Sequence, residues 1–130
     1  MPIINKILII IFIFISITPT TATAKKLEKE YQKEWCEKHN GQTEFVLPDK
    51  TRCDCLTTKN AIEFDFGKKW AEAIGQSLYY SLQTGKRAGI VLILETPKDR
   101  KFWLRLNTTI DNFKLPIDTW QAGAVSSEKF

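Results

Sequence analysis

Residues 88–94 form a continuous apolar run, with Gly-Ile-Val-Leu-Ile-Leu at its centre. Successive side chains of a strand point to opposite faces of a sheet, so such a run suits a strand that is covered on both faces. The preceding residues 68–83 are predicted as a helix, which Thr84-Gly85 ends. A buried strand after a crossover helix predicts a parallel strand pair. The fold must therefore contain a sheet with helices packed against it.

Periodicity and turn residues predict the other elements. We predict helices at 26–38, 68–83 and 98–112, and strands at 43–47, 51–56, 61–66, 88–94 and 115–120. Pro116 lies in the last strand and predicts an edge position, whereas Pro48-Asp49 is explained as a turn between two strands. The prediction is a single α/β (α+β) domain with a mixed central β-sheet flanked by helices, in the order αβββαβαβ.

The helix at 68–83 has a broad face predicted to be buried and a narrow polar stripe. The face contains Trp70, Ala71, Ile74, Leu78, Ser81 and Leu82. The stripe contains Lys69, Glu72, Gln76 and Tyr80. On this pattern alone, Gln76 and Tyr80 are explained as ordinary surface positions of an amphipathic helix.

Residues 1–24 have the features of a secretory signal peptide. Lys6 precedes an apolar run at 7–17, and Ala22-Thr23-Ala24 supplies small residues for cleavage after Ala24. The run is short for a membrane span, which needs about 20 apolar residues. We expect a mature single domain at 25–130 that is periplasmic or secreted, without stable membrane association. Oligomeric state is not predicted.

Charge and cysteine content agree with an exported domain without proving a partner. The net charge of +4 is too small to indicate nucleic acid unless it is clustered on one face. Cys53 and Cys55 are two residues apart in a predicted strand, so both sulfurs are expected opposite Asp54. Either could form a disulfide with Cys36 in an oxidising compartment. A zinc site is the alternative, and it would need all three cysteines and His39.

Three carboxylates stand out on the predicted strands. Glu63 and Asp65 are two residues apart and must share a face, opposite Ile62, Phe64 and Phe66. Asp54 joins them if its strand pairs in the register that sends Cys53 and Cys55 toward the first helix. Such a cluster would need a cation or a lysine to offset its repulsion. In the alternative interpretation, Glu63 and Asp65 are solvated strand residues.

The strand meander followed by a helix and a buried strand resembles the PD-(D/E)XK nuclease superfamily, which has a restriction-endonuclease-like core. Gln76-x-x-x-Tyr80 resembles the glutamine-tyrosine motif of exonuclease domains attached to bacterial recombination helicases. The runs at 54–57, 61–66 and 69–76 also resemble small exported bacterial proteins of unknown function, which share Asp-Cys-Leu-Thr and so favour Cys55 over Cys53 as the partner of Cys36.

The nuclease resemblance implies a metal-dependent nucleic-acid phosphodiesterase. Asp54 and Glu63 would be ligands of Mg²⁺, for which Mn²⁺ could substitute, and bound metal would stabilise phosphate charge and activate water. Asp65 stands where the family has lysine. It would then be a third metal ligand, with Lys69 replacing the lysine and with Gln76 and Tyr80 on the same stripe. The alternative is a catalytically inactive binding or structural protein with the nuclease fold.

Overall fold

The structure, a computed structural model, describes residues 24–127, without the side chains of residues 126 and 127. The predicted signal peptide lies outside the described residues, apart from Ala24. The helices are α1 (Glu28–Lys38), α2 (Trp70–Thr84) and α3 (Arg100–Phe113), and the strands are β1 (Gln42–Val46), β2 (Arg52–Leu56), β3 (Asn60–Phe66), β4 (Arg87–Ile93) and β5 (Ile117–Ala122). Short 3₁₀ turns, Gly67–Lys69 and Pro97–Asp99, lead into α2 and α3. The predicted element order is confirmed.

The five strands form one mixed sheet in the order β1-β2-β3-β4-β5. β1, β2 and β3 are antiparallel neighbours, whereas β4 pairs in parallel with both β3 and β5. The position of β4 between β3 and β5 explains the apolar run, because Ala88 and the residues from Ile90 to Leu94 are all fully buried. β5 lies at the edge, as Pro116 predicted. The α+β prediction with a mixed sheet is therefore confirmed.

Hydrophobic clusters cover the sheet on both faces. On one face, α2 and α3 pack against β4 through a cluster that includes Ala73, Ile90, Leu92 and Leu106. On the other face, Cys36 of α1 packs with Cys55, Ile62, Phe64 and Val91, and Trp35 and Trp120 lie against this group. The alternation along β3 thus sends Ile62 and Phe64 toward α1 and leaves Glu63 and Asp65 for the α2 side.

α2 buries a face that only partly matches the predicted one, since Trp70, Ile74 and Leu78 do pack against the core. Ala73, Ser77 and Tyr80 are buried, whereas Ala71 is exposed and Leu82 is 78% exposed. The small side chains of Ala73 and Ser77 let the helix approach the sheet closely, so the contact is centred between them. The prediction was wrong for Ala71 and Leu82, and it was wrong for Tyr80, whose ring enters the core.

A disulfide bond joins Cys36 to Cys55, with a Cα to Cα distance of 5.9 Å. The predicted pairing is confirmed, and it leaves too few cysteines for the alternative zinc site. Gly41 lies against this bond, because a Cβ atom there would be 2.6 Å from both sulfurs. The bond therefore ties the end of α1 to β2.

Cys53 does not share the environment of Cys55. It is a buried free thiol that packs with Leu47, Ala61 and Tyr80. The expectation that both sulfurs lie opposite Asp54 assumed regular strand alternation. The β1–β2 ladder is irregular at this point, since Glu44, which lies between the paired residues opposite Asp54, has a φ of +53°.

No helix within residues 24–127 combines the length and apolar character that crossing a membrane requires.

Candidate functional site

Asp54 lies where β2 and β3 separate. The two strands pair only at Cys55 with Ile62 and at Leu56 with Ala61. Beyond these pairs, Asp54 Oδ2 accepts a hydrogen bond of 2.8 Å from the backbone N–H of Phe64. The carboxylate thus satisfies a backbone donor that the ladder would otherwise satisfy. This contact holds Asp54 against β3 at the position of Glu63.

Glu63 is the most enclosed carboxyl group of the site. Its side chain is 4% exposed and hydrogen-bonds to the Asp54 carboxyl group and to the hydroxyl group of Tyr80, which donates. Oε2 of Glu63 is buried and has no hydrogen-bond donor within the described chain. A carboxyl pair can form a mutual hydrogen bond only when one member carries a proton. The site therefore holds a buried acceptor whose needs the protein does not meet.

Asp65 completes what we call the carboxylate cluster, defined as Asp54, Glu63 and Asp65. It is also 4% exposed, and its charge interacts with those of Asp54, Glu28 and Lys69. Lys69 is exposed at the start of α2, and no ion pair within 4.0 Å among residues 24–127 includes it. Lys69 therefore acts on Asp65 through its field and not through a direct contact.

The electrostatics of the cluster favour protonated carboxyl groups. Burial, opposed by the Phe64 N–H, raises the pKa of Asp54. Burial and then the charge of Asp54 raise the pKa of Glu63 further. Burial and then the charge of Glu28 raise the pKa of Asp65 to about 7, although Lys69 opposes this rise. At neutral pH the cluster therefore holds protons that isolated carboxyl groups would have lost.

Sequence reasoning missed Glu28. This residue opens α1, accepts a hydrogen bond of 3.3 Å from the buried Gln32, and its charge acts on Asp54 and Asp65. Burial also raises the pKa of its own carboxyl group. The sequence did not indicate that Glu28 belongs near the site, because acidic residues are favoured in the first turn of any helix.

The predicted stripe on α2 divides into an inner and an outer part. Tyr80 contacts Glu63, as described above, whereas Gln76 and Glu72 are exposed. The structure thus brings together Asp54, Glu63 and Tyr80, with Asp65 and Lys69 beside them. Gln76 is left at the surface of the helix.

No set of three or more His, Cys, Asp or Glu side chains in the part of the chain that the structure describes is arranged to hold a metal ion. Asp54 and Glu63 are in contact, but Asp65 does not complete a three-ligand set with them. The oxygen-rich pair still suits Mg²⁺, which keeps several water ligands and is commonly bound through one or two carboxylates. The unsatisfied Glu63 Oε2 is the observation that fits a cation at this pair.

Comparison of the chain with family models, with curated proteins and with solved structures gave no significant match.

Proposed function

We propose that the chain is an exported, Mg²⁺-dependent nucleic-acid phosphodiesterase whose site is the carboxylate cluster. The observation that carries the proposal is the buried Asp54–Glu63 pair with an oxygen that lacks a donor. Such a pair is costly in a metal-free protein, because it must either carry buried charge or hold protons at neutral pH, and because one of its polar atoms is unsatisfied. A divalent cation would offset both costs.

The strand arrangement supports the same proposal. An antiparallel meander, a crossover helix and a buried parallel strand, with carboxylates on β2 and β3, resemble the PD-(D/E)XK core. The Cys36–Cys55 disulfide supports an extracytoplasmic location, where oxidising conditions preserve such bonds. The periplasm or the extracellular space is thus part of the proposal.

Each residue of the site has a proposed role. Asp54 and Glu63 would hold Mg²⁺, which supplies stabilisation of negative charge on the phosphate. Tyr80 orients Glu63 through its hydrogen bond. Asp65 accepts a proton from the water whose oxygen attacks phosphorus, while the bond from phosphorus to the leaving ester oxygen breaks. Asp65 suits this role because it lies beside the pair without completing a three-ligand set with it. Lys69 adds positive charge near Asp65.

Metal binding and cleavage test the proposal separately. Calorimetry with Mg²⁺ or Mn²⁺ should show binding to the wild-type protein and at least tenfold weaker binding to Asp54→Asn and Glu63→Gln. Cleavage of single- and double-stranded DNA and RNA should be lost in both variants. Asp111→Asn is the matched control, because this exposed carboxylate of α3 is remote in sequence from the cluster.

Asp65→Asn separates two roles for that residue. If Asp65 accepts the proton, the variant keeps its metal affinity and loses cleavage by about 10²- to 10⁴-fold. If Asp65 is a metal ligand, the variant loses metal affinity as well. Metal binding by the wild-type protein without cleavage of any substrate would favour the non-catalytic binding protein, and failure of both assays would reject the metal site.

A further inference from the structure

A cavity of about 510 Å³ lies beside the carboxylate cluster, where the carboxyl ends of β3 and β4 meet the first turns of α2 and α3. Five lysines line it: Lys25, Lys68, Lys69, Lys98 and Lys101. We call it the lysine cavity. Lys69 belongs both to this cavity and to the surroundings of Asp65, so the two features are adjacent. The volume lies in the range of small-ligand sites.

The acidic residues of the lysine cavity are already engaged. Glu95 forms an ion pair with Lys25 at 3.6 Å. Asp99 Oδ2 accepts hydrogen bonds from the backbone N–H groups of Glu95 and Thr96, at 2.9 and 3.1 Å. Both carboxylates therefore serve local structure and leave most of the lysine charge uncompensated.

Three other lysines of the cavity lack an acidic partner in the described part of the chain. Within residues 24–127, no ion pair shorter than 4.0 Å includes Lys68, Lys98 or Lys101. These lysines lie near the first turns of α2 and α3, so their charge adds to the positive ends of the two helix dipoles. Acidic residues would be the stabilising ones there. Like charges gathered in a concave site raise its positive potential and attract anions. The charge of the cavity thus matches an oxyanion.

Aromatic side chains lie between the lysines. Phe66 and Phe102 both line the cavity, with Lys25 Nζ 5.6 Å from the ring centre of Phe66 and Lys101 Nζ 5.0 Å from that of Phe102. Gly67 allows Phe102 to approach, because a Cβ atom at this position would be 2.9 Å from the ring. Lysines around aromatic rings suit a nucleic-acid strand, whose phosphates and bases need both groups.

We propose that the lysine cavity binds the backbone of a single-stranded nucleic acid next to the carboxylate cluster. Lys68, Lys98 and Lys101 contact the phosphates, and Phe66 and Phe102 contact the bases. The choice of nucleic acid as ligand rests on the proposed function, but binding at the cavity needs neither metal nor cleavage.

The test uses fluorescence anisotropy of a labelled 12-nucleotide oligothymidylate with the full mature protein and EDTA. Lys68→Glu/Lys98→Glu is compared with the matched control Lys33→Glu/Lys59→Glu, which changes net charge equally at exposed positions outside the cavity. We expect the affinity of the first variant to be lower than that of the wild type by about tenfold or more. The affinity of the control should stay within about threefold of the wild type. The slope of log affinity against log salt should fall by about 1.4, for two lost phosphate contacts on a single strand.

Several results would overturn the inference. These are no binding by the wild-type protein, equal losses in both double variants, or binding to vesicles of anionic phospholipid in place of the oligonucleotide. Circular dichroism of each variant checks that it folds. Binding in EDTA and cleavage in Mg²⁺ separate the two proposals, because the binding assay contains no divalent cation. A protein that binds the strand through Lys68 and Lys98 but never cleaves it supports this inference and rejects the phosphodiesterase.

Discussion

The two faces of the sheet at β2 and β3 differ in how well the bonding needs of their buried groups are satisfied. On the α1 face, Cys36 and Cys55 are covalently joined and packed with Ile62 and Phe64. On the α2 face, Glu63 lies against Asp54 with an oxygen that has no donor. The first face is assembled for stability. The second retains a buried acidic group at a cost in free energy of folding, and such a cost is typical of a functional site.

The comparison also explains why Tyr80 lies inside the protein. A hydroxyl group on the α1 face would have no polar partner in the cluster around Cys55, whereas on the α2 face it donates to Glu63. The buried Tyr80 hydroxyl thus lies on the face that offers it a partner.

Removing the disulfide should cause the largest loss of stability. The bond closes a loop with a sequence separation of 19, for which chain entropy predicts a contribution of about 3 kcal/mol. We expect Cys36→Ala/Cys55→Ala to lower the free energy of unfolding by about that amount in urea titrations. Wild-type protein with reductant should behave similarly. An unchanged unfolding midpoint in both samples would show that the α1 face does not depend on the bond.

Neutralising Glu63 should stabilise the metal-free protein at alkaline pH. A carboxyl group with a raised pKa in the folded state binds more protons than it does in the unfolded chain, so its contribution is full below its ordinary pKa and is lost as pH rises. We expect Glu63→Gln to gain about 2 kcal/mol over the wild type at pH 8 and little at pH 4, since one pKa unit is worth about 1.4 kcal/mol and water entry relaxes part of the shift.

Thermal unfolding in EDTA from pH 4 to 9 measures this effect, with Glu37→Gln as the exposed control. Between pH 4 and 7 the variant should still lose stability as pH rises, because Asp65 is unchanged in it. The pKa of Asp65 is raised from its ordinary 3.8 to about 7 in the folded state. Equal pH profiles for Glu63→Gln and the wild type would contradict the assignment of a strained acidic face.

Tyr80→Phe should have a smaller effect in the opposite direction. It removes the donor to Glu63 and leaves another buried acceptor unsatisfied, which costs about 1–2 kcal/mol. Urea unfolding at pH 7 measures the loss, and Tyr79→Phe is the control because the Tyr79 hydroxyl bonds Asp49 at the surface. If the free energy of unfolding falls equally in both variants, the Tyr80–Glu63 contact stabilises the fold no more than a surface hydrogen bond does.

Gln76→Ala should change least. Gln76 is exposed on α2, and surface substitutions commonly stay within about 0.5 kcal/mol. We expect unchanged unfolding and unchanged Mg²⁺ affinity by calorimetry. A severalfold loss of affinity would place Gln76 in the site and restore the predicted polar stripe.

Patterns of residue type were enough to determine the element order, the buried strand β4 and the shared face of Glu63 and Asp65. These features depend on local periodicity and on turn residues such as Gly85, which ends α2 with a φ of +68°. The pairing of Cys36 with Cys55 followed from a resemblance in the run at 54–57. It did not follow from spacing, which left Cys53 equally eligible.

Tertiary structure decided the rest. Helical spacing placed Tyr80 on a polar stripe, but the close approach of α2 through Ala73 and Ser77 turned that stripe partly inward. Strand alternation placed Cys53 with Cys55, but the irregular ladder at Glu44 separated them. The charge of Glu28 acts on the cluster from a helix far away in sequence. Periodicity describes one element at a time, whereas burial, pKa and partner depend on distances between elements, which only the packed fold defines.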